Sequence, residues 1–225
     1  MRNDAARRLR GLYAVTPGMP DTDALVERVE ACLRGGARLV QYRAKGAPRA
    51  LALAQACRLV EACGRHGVPL IVNDSIELAL AAGAAGVHVG RDDDSAADAR
   101  KAFPRGLVGV SCYGDVERAR AAGLARADYI GVGSMFPSPT KPGAVRAPLE
   151  LIARAREASG LPVAAIGGIT AHNAPDLIGA GADMVAVISA VFDAPDVERA
   201  ARDIARLFNE GPHGAQDARA QPRVV

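Results

Sequence analysis

Gly83-Ala-Ala-Gly-Val-His-Val-Gly-Arg-Asp-Asp-Asp94 sets the reading of the whole chain. It opens on a glycine able to take the left-handed conformation that stops a helix. A short apolar run, Val87–Val89, follows, and the stretch closes on a polar cluster. The opening phrase returns as Gly35-Gly-Ala-Arg-Leu-Val40, Ala122-Gly-Leu-Ala-Arg-Ala-Asp-Tyr-Ile130 and Gly179-Ala-Gly-Ala-Asp-Met-Val185, each ending a helix and starting a strand. Working outward, the apolar β-rich runs are Leu12–Val15, Arg38–Tyr42, Leu70–Val72, Val87–Val89, Leu107–Val110, Tyr129–Val132, Val163–Ile166 and Met184–Ile188. Helical patterns separate them at Thr22–Leu33, Arg49–Arg65, Ile76–Ala82, Ser95–Ala102, Val116–Ala122, Leu149–Ala158, Ala174–Ile178 and Asp196–Phe208. Parallel strands need crossover connections, so strict strand–helix alternation predicts an α/β protein with a parallel sheet. The runs are continuously apolar, as expected when both sheet faces are buried. Eight such units in about 200 residues predict a single-domain (β/α)8 (TIM) barrel. A doubly wound open sheet is the alternative. The first strand's exit, Thr16-Pro-Gly-Met-Pro20, lacks the GxGxxG fingerprint of a dinucleotide fold.

Composition narrows the function class. The chain has 225 residues, 28 Lys+Arg against 25 Asp+Glu for a net charge of +3, and is 49% hydrophobic and 24% charged. This is a globular composition, not a disordered one. The charge is too small to imply nucleic acid or a membrane surface as the main partner, and 4% aromatics with no Trp argue against a base-stacking platform. No apolar run is long enough to span a membrane, and the charged start Met1–Arg10 lacks a secretory apolar core, so a cytoplasmic protein is expected. Cys32, Cys57, Cys63 and Cys112 form neither a CxxC pair nor a metal spacing and read as reduced, buried thiols. Residues 1–10 are expected to be an N-terminal extension, 11–210 the barrel and 211–225 a disordered tail.

In a barrel of this type function sits where strands end. After the second strand, Gln41, Arg43 and Lys45 alternate, and the two cations suit a phosphate or diphosphate as well as an ordinary solvated loop. After the third comes Asn73-Asp74, and after the fourth Arg91-Asp92-Asp93-Asp94. Asp74 reads either as the N-cap of the next helix or, with a neighbouring-strand aspartate, as a ligand of Mg²⁺. His88 lies inside a strand and reads as a satisfied barrel histidine. Ser111 ends the fifth strand without a GxSxG elbow, which leaves it a substrate-contacting hydroxyl. The sixth strand leads into Gly133-Ser-Met-Phe-Pro-Ser-Pro-Thr-Lys-Pro-Gly-Ala144, a lid-like loop whose hydroxyls and lysine suit another phosphate. Gly167-Gly168 after the seventh strand, and Ile188-Ser189 after the eighth, stand where such barrels build a phosphate cup, although a tight turn also asks for glycine.

Several phrases together carry a family resemblance: Gly11-Leu-Tyr-Ala-Val-Thr16, Gln41-Tyr-Arg-Ala-Lys-Gly46, Val72-Asn-Asp74, Gly86-Val-His-Val-Gly-Arg-Asp-Asp93, Gly109-Val-Ser111, Pro137-Ser-Pro-Thr-Lys141, Ala165-Ile-Gly-Gly-Ile169 and Val187-Ile-Ser189. In that order, from about residue 11 to 208, the chain resembles the thiamine phosphate synthases. The resemblance implies a transferase of thiamine biosynthesis. It would join a hydroxymethylpyrimidine diphosphate to a thiazole phosphate by dissociative substitution, releasing diphosphate. It also implies Mg²⁺, one per subunit, on Asp74 and Asp93, with Asp92 a competing position. Gln41, Tyr42, Arg43, Ala44, Lys45, Asn73, Ser111 and Lys141 would bind the pyrimidine diphosphate. Of these, Arg43, Lys45, Ser111 and Lys141 would act catalytically. Ser138, Pro139, Thr140, Gly168, Ile188 and Ser189 would hold the thiazole phosphate. The partners implied are small molecules, with a homo-oligomer left open. Tyr42 stands where the family often has leucine, Ser138 replaces a usual threonine, and Pro139, Pro142 and Gly143 make an unusual lid phrase. The competing readings are a thiazole tautomerase-like paralogue, which would lack the diphosphate and metal residues, and a non-catalytic phosphate-binding regulatory barrel.

Overall fold

In a computed structural model, described over residues 9–91, 95–137 and 145–210, the strands form a closed barrel in chain order. The strands are β1 Gly11–Val15, β2 Leu39–Tyr42, β3 Leu70–Asn73, β4 Gly86–Val89, β5 Leu107–Tyr113, β6 Tyr129–Val132, β7 Val163–Ile166 and β8 Met184–Val187. The helices are α1 Thr22–Arg34, α2 Arg49–Arg65, α3 Ile76–Ala82, α4 Ala96–Ala102, α5 Val116–Leu124, α6 Glu150–Ser159, α7 Ala174–Gly179, α8 Ser189–Phe192, α9 Val197–Ala205 and α10 Leu207–Glu210. Every strand pairing is parallel, and β1 pairs with β8 to close the sheet. The (β/α)8 barrel read from the alternation is therefore the fold.

Strand alternation sorts side chains into two layers. Leu12, Val40, Val72, Val108 and Val185 face outward and pack under the helices. Tyr13, Leu39, Ile71, Leu107, Tyr129, Ala164 and Met184 fill the barrel interior. Leu9 is 5% exposed and joins this inner layer, although the sequence reading places it in the extension. Arg10, beside it, donates to the Phe208 carbonyl at 3.3 Å.

Helix starts follow ordinary cap chemistry. Asp21, Ser75, Ser95, Asp115 and Asp196 each accept from a first-turn backbone N–H. Asp74 is thus not the cap of α3; Ser75 is. Among the four repeated phrases, positive φ falls on Gly36, Gly83 and Gly181 in three and departs from glycine in one. In the Ala122–Ile130 phrase Arg126 takes the left-handed φ of 61°, while Gly123 lies inside α5. A Cβ on Gly123 would stand 2.5 Å from the Ser159 carbonyl oxygen, so this glycine serves the close approach of α5 to α6. β5 runs to Tyr113, beyond the expected Val110, through a register shift between Ser111 and Tyr113. The pattern Asp196–Phe208 is not one helix: it breaks at Arg206 between α9 and α10.

Candidate active site

At the C-terminal end of the strands the inward positions turn polar: Gln41 on β2, Asn73 on β3, His88 on β4 and Ser111 on β5. Gln41, 5% exposed, donates from Nε2 to the Tyr13 hydroxyl at 2.6 Å. The Tyr13 and Tyr129 hydroxyls lie 2.7 Å apart, with the rings edge to face. The Tyr129 hydroxyl is 3.1 Å from His88 Nδ1, and His88 Nε2 is 2.8 Å from Ser111 Oγ. Burial pushes both tyrosine hydroxyls well above the ordinary tyrosine range. A glycine makes the chain of contacts possible. Gly109 lies opposite both His88 and Tyr129 in register, and a Cβ there would meet Tyr129 Cζ at 2.2 Å and His88 Nδ1 at 2.4 Å.

Beyond the strands, the anion-binding candidates separate. Thr16, fully buried, receives the Arg43 N–H at 2.9 Å and gives its own N–H to the Gln41 carbonyl at 2.9 Å. The β1 exit thus pins the β2 exit and sets where Arg43 leaves the sheet. The extended geometry ends there. Lys45 sits exposed in a turn closed by Ala47 N–H on the Ala44 carbonyl, so it does not simply continue the Gln41–Arg43 row. The turn instead brings Lys45 to a cleft of about 330 Å³ walled by α2 and α3 residues such as Leu53 and Leu78, with Asn73 and Asp74 at the β3 exit; Gln41, Arg43 and Ser111 do not line it. Tyr42 turns away from the interior. Its hydroxyl donates to Gln55 Oε1 at 2.7 Å, Gln55 Nε2 donates to the Met19 carbonyl at 2.9 Å, and burial pushes the Tyr42 hydroxyl up to about 12. The tyrosine here thus ties β2 to α2 and to the loop after β1.

Asp74 has a left-handed φ of 67°, uncommon for a non-glycine residue and most tolerated by Asn and Asp. Its N–H donates to the His88 carbonyl at 2.8 Å, which draws the β3 exit against β4. One carboxylate at this junction suits Mg²⁺, which takes one or two carboxylates and completes its shell with phosphate oxygens and water. Among the described residues no cluster of three or more His, Cys, Asp or Glu is present. Asp92, Asp93 and Asp94 lie outside the described residues, as do Ser138, Pro139, Thr140 and Lys141.

The flanks of both segments are tied down. Arg91 and Arg118 stand over the Tyr113 ring at 5.0 and 5.8 Å, and Arg118 donates to the Ser111 and Gly90 carbonyls, both at 3.2 Å. The lid stem is closed by Ala147 N–H on the Ser134 carbonyl at 2.8 Å, and Arg146 donates to the Met135 carbonyl at 3.2 Å. Met135 and Phe136 donate their N–H groups to the Ile166 and Gly167 carbonyls at 2.9 and 3.0 Å. The lid stem therefore rests on the β7 exit. Gly167 and Gly168 take φ of 106° and 60°, and a Cβ on either would stand within 2.2 Å of Ser134 Oγ or the Pro137 carbonyl oxygen respectively. These glycines are needed for the turn and for this close stacking, whatever anion the loop receives. Ile188 and Ser189 open the short helix α8, which the sequence reading does not anticipate.

Residues 12–191 match the family model described as thiamine monophosphate synthase. A thiamine-phosphate synthase of Thiobacillus denitrificans is 56% identical over 203 residues, covering 90% of this chain and 96% of the relative. One of Aromatoleum aromaticum is 53% identical over 203 residues, covering 90% and 98%. The solved thiamine phosphate pyrophosphorylase of Pyrococcus furiosus superposes with a TM-score of 0.81 at 34% identity, covering 91% of this chain and 98% of that one. With four-fifths of its length under one family model and a relative more than half identical along nearly its whole length, the chain belongs to the thiamine monophosphate synthase family.

Proposed function

We propose that this chain is a thiamine phosphate synthase, joining 4-amino-2-methyl-5-(diphosphooxymethyl)pyrimidine to 4-methyl-5-(2-phosphooxyethyl)thiazole with release of diphosphate. The observation that supports the reading is that Gln41, Arg43, Lys45, Asn73, Asp74 and Ser111 all stand at the exits of β2, β3 and β5, which a parallel barrel puts at one end. The bond between the pyrimidine methylene and the diphosphate oxygen breaks, and its electron pair leaves with the diphosphate. The thiazole nitrogen then forms the new carbon–nitrogen bond. Such a substitution asks little of acid–base groups and much of groups that stabilise departing negative charge. Arg43 and Lys45, with Lys141 from the lid, supply cations for the diphosphate, and Ser111 supplies a hydroxyl. Gln41 and Asn73 face the interior, where the pyrimidine would be held; Tyr42 and Ala44 would contribute backbone. Gly168, Ile188 and Ser189, with Ser138, Pro139 and Thr140, would hold the thiazole phosphate close to the reacting carbon, so that binding energy supplies orientation. Asp74 and Asp93 would hold one Mg²⁺ per subunit, which when bound neutralises charge on the diphosphate.

No helix among the described residues is long and apolar enough to cross a membrane. Both substrates are small soluble anions, which supports a cytoplasmic enzyme acting without a nucleic-acid or membrane partner, as a monomer or a homo-oligomer. The test is to mix purified protein with both substrates, with Mg²⁺ or with EDTA, and to quantify thiamine phosphate. Mg²⁺-dependent product is the expected result. Folded protein that gives no product would overturn the reading in favour of a tautomerase-like or non-catalytic barrel.

A further inference from the structure

We propose that Gln41, Tyr13, Tyr129 and His88 form a one-way hydrogen-bond relay whose output is the Ser111 hydroxyl, held as a donor toward the barrel mouth. On this view Tyr13 and Tyr129 are positioning residues for the reaction. The inference rests on the reading above that Ser111 touches the departing diphosphate.

Direction follows from the donor inventory. A tyrosine hydroxyl carries one proton, and a neutral imidazole carries one N–H and one acceptor nitrogen. Tyr13 accepts from Gln41 Nε2, so its own proton goes to the Tyr129 oxygen 2.7 Å away. Tyr129 then gives its proton to His88 Nδ1. That fixes the histidine proton on Nε2, from which it is donated to Ser111 Oγ. The serine oxygen accepts from the ring, so its proton turns elsewhere. The reverse sense would require the Gln41 amide to turn over, the histidine to move its proton to Nδ1, and Ser111 to spend its proton on the ring.

Burial makes this asymmetry useful. Gln41, Tyr13, Tyr129 and His88 are all under 8% exposed, whereas Ser111 is only half-buried. Water therefore has little access to the inner links and cannot scramble them. The relay opens where it meets the mouth. Buried hydrogen-bond chains also polarise along their length, which strengthens the last donor. Gly109 supports the same reading, because any side chain there would occupy the space through which Tyr129 meets His88. Tyrosines serving only to fill the core would be replaceable by phenylalanine at no cost to Ser111.

The test uses the full chain and two readouts. The first is ¹⁵N NMR of the His88 ring in its neutral form, assigned by loss of its signals in His88→Gln. The expected spectrum is that of the Nε2–H tautomer in the wild type, with the two nitrogens moving toward each other in Tyr129→Phe. A wild-type Nδ1–H tautomer, or unchanged shifts in Tyr129→Phe, would overturn the relay. The second is a double-mutant cycle on thiamine phosphate formation. Tyr129→Phe should lower kcat about tenfold, the loss of roughly one hydrogen bond, with KM for both substrates nearly unchanged. Combined with Ser111→Ala it should lower kcat no further than Ser111→Ala alone, because it acts through that hydroxyl. Losses that multiply would make Tyr129 merely structural and sink the proposal. If Tyr129→Phe does not fold, Tyr13→Phe runs the same cycle one link earlier. A wild type that forms no thiamine phosphate would defeat the assigned reaction, and the NMR readout would then decide the relay by itself.

Discussion

At the end of the barrel where strands begin, Asp128 and Asp183 occupy equivalent places two βα units apart, each just before an even-numbered strand. Asp128 accepts the Val108 N–H at 2.8 Å and pairs with Arg100 of α4; Asp183 accepts the Val163 N–H at 2.7 Å and pairs with Arg156 of α6. The arginines also donate to backbone carbonyls, Arg100 to Phe103, Gly106 and Arg126, Arg156 to Gly181. At the opposite end no such pairing repeats among the described residues. Gln41, Asn73, Asp74 and Ser111 differ from strand to strand, and the hydrogen-bond chain through Tyr13, Tyr129 and His88 finishes on a half-buried hydroxyl at the mouth. The polar groups at the first end are satisfied by one another, which is how buried charge is made compatible with stability. Of those at the second end, Asn73, Asp74 and Ser111 are only partly buried, so a substrate at the mouth can contact them. Repetition with closure marks a structural device; singularity with an open end marks a functional one.

The largest effect that would break this contrast is expected at Asp74. Asp74→Asn keeps a residue tolerant of the left-handed backbone and keeps the N–H on the His88 carbonyl. Turnover should fall about a thousandfold, roughly 4 kcal/mol in the barrier, with the thermal midpoint held. Lys141→Ala should fall less, by about a hundredfold, since the other cations remain. Steady-state kinetics with saturating Mg²⁺ checks both. Wild-type turnover from Asp74→Asn would remove it from the metal site, and the open-end reading would lose its strongest residue.

The mirror experiment is at the closed end. Asp128 and Arg100 keep side-chain exposures of 10% and 19%, so Asp128→Ala strands a largely buried guanidinium and should cost about 3 kcal/mol in urea unfolding. Asp183 and Arg156 are more open, at 24% and 42%, and Asp183→Asn should cost about 1–2 kcal/mol with kcat unchanged. A fall in kcat from Asp183→Asn, with folding intact, would erase the distinction between the two ends.

Much of this was legible before any coordinates. The alternation of apolar runs with helical patterns carries the barrel, and the helices Arg49–Arg65 and Ile76–Ala82 agree with the sequence reading to the residue. The polar strand ends were legible because inward positions break an otherwise apolar run. What stayed hidden was whatever depends on pairing across strands. Tyr13 and Tyr129 read as apolar strand residues, and nothing local reveals that residues 116 apart in sequence share a hydrogen bond. The structural job of Tyr42 depends on Gln55 and Met19, and that of Gly109 on its two neighbours across the sheet. Nothing local in the sequence gives Thr16 a job, yet it anchors Arg43. The one available signal was composition: a glycine and a histidine at inward positions of adjacent strands are poor choices for filling a barrel, and the space left by one accommodates the other.

The smallest predicted effect sharpens the contrast within a single strand. Ser111 and Cys112 are consecutive on β5, one facing the interior and the other the helix layer. Burial, reinforced by Asp115 and partly offset by Arg118, pushes the Cys112 thiol from 9.0 up to about 12. An acid whose proton is held more tightly in the folded state favours folding while protonated. Its contribution is full below the unfolded value near 9 and is lost as pH climbs toward 12. Across that window Cys112 should contribute a decline of up to about 1.4 kcal/mol per pH unit, and Cys112→Ala should show a shallower one. At neutral pH the same variant should be about 1 kcal/mol less stable, because a small buried group is lost. Ser111→Ala, one residue away, should leave the alkaline slope unchanged while lowering turnover. Urea midpoints measured across the alkaline range read both. Parallel slopes in wild type and Cys112→Ala would mean that the thiol gains access to water in the folded state, and the helix layer over β5 would then be less closed than its packing indicates.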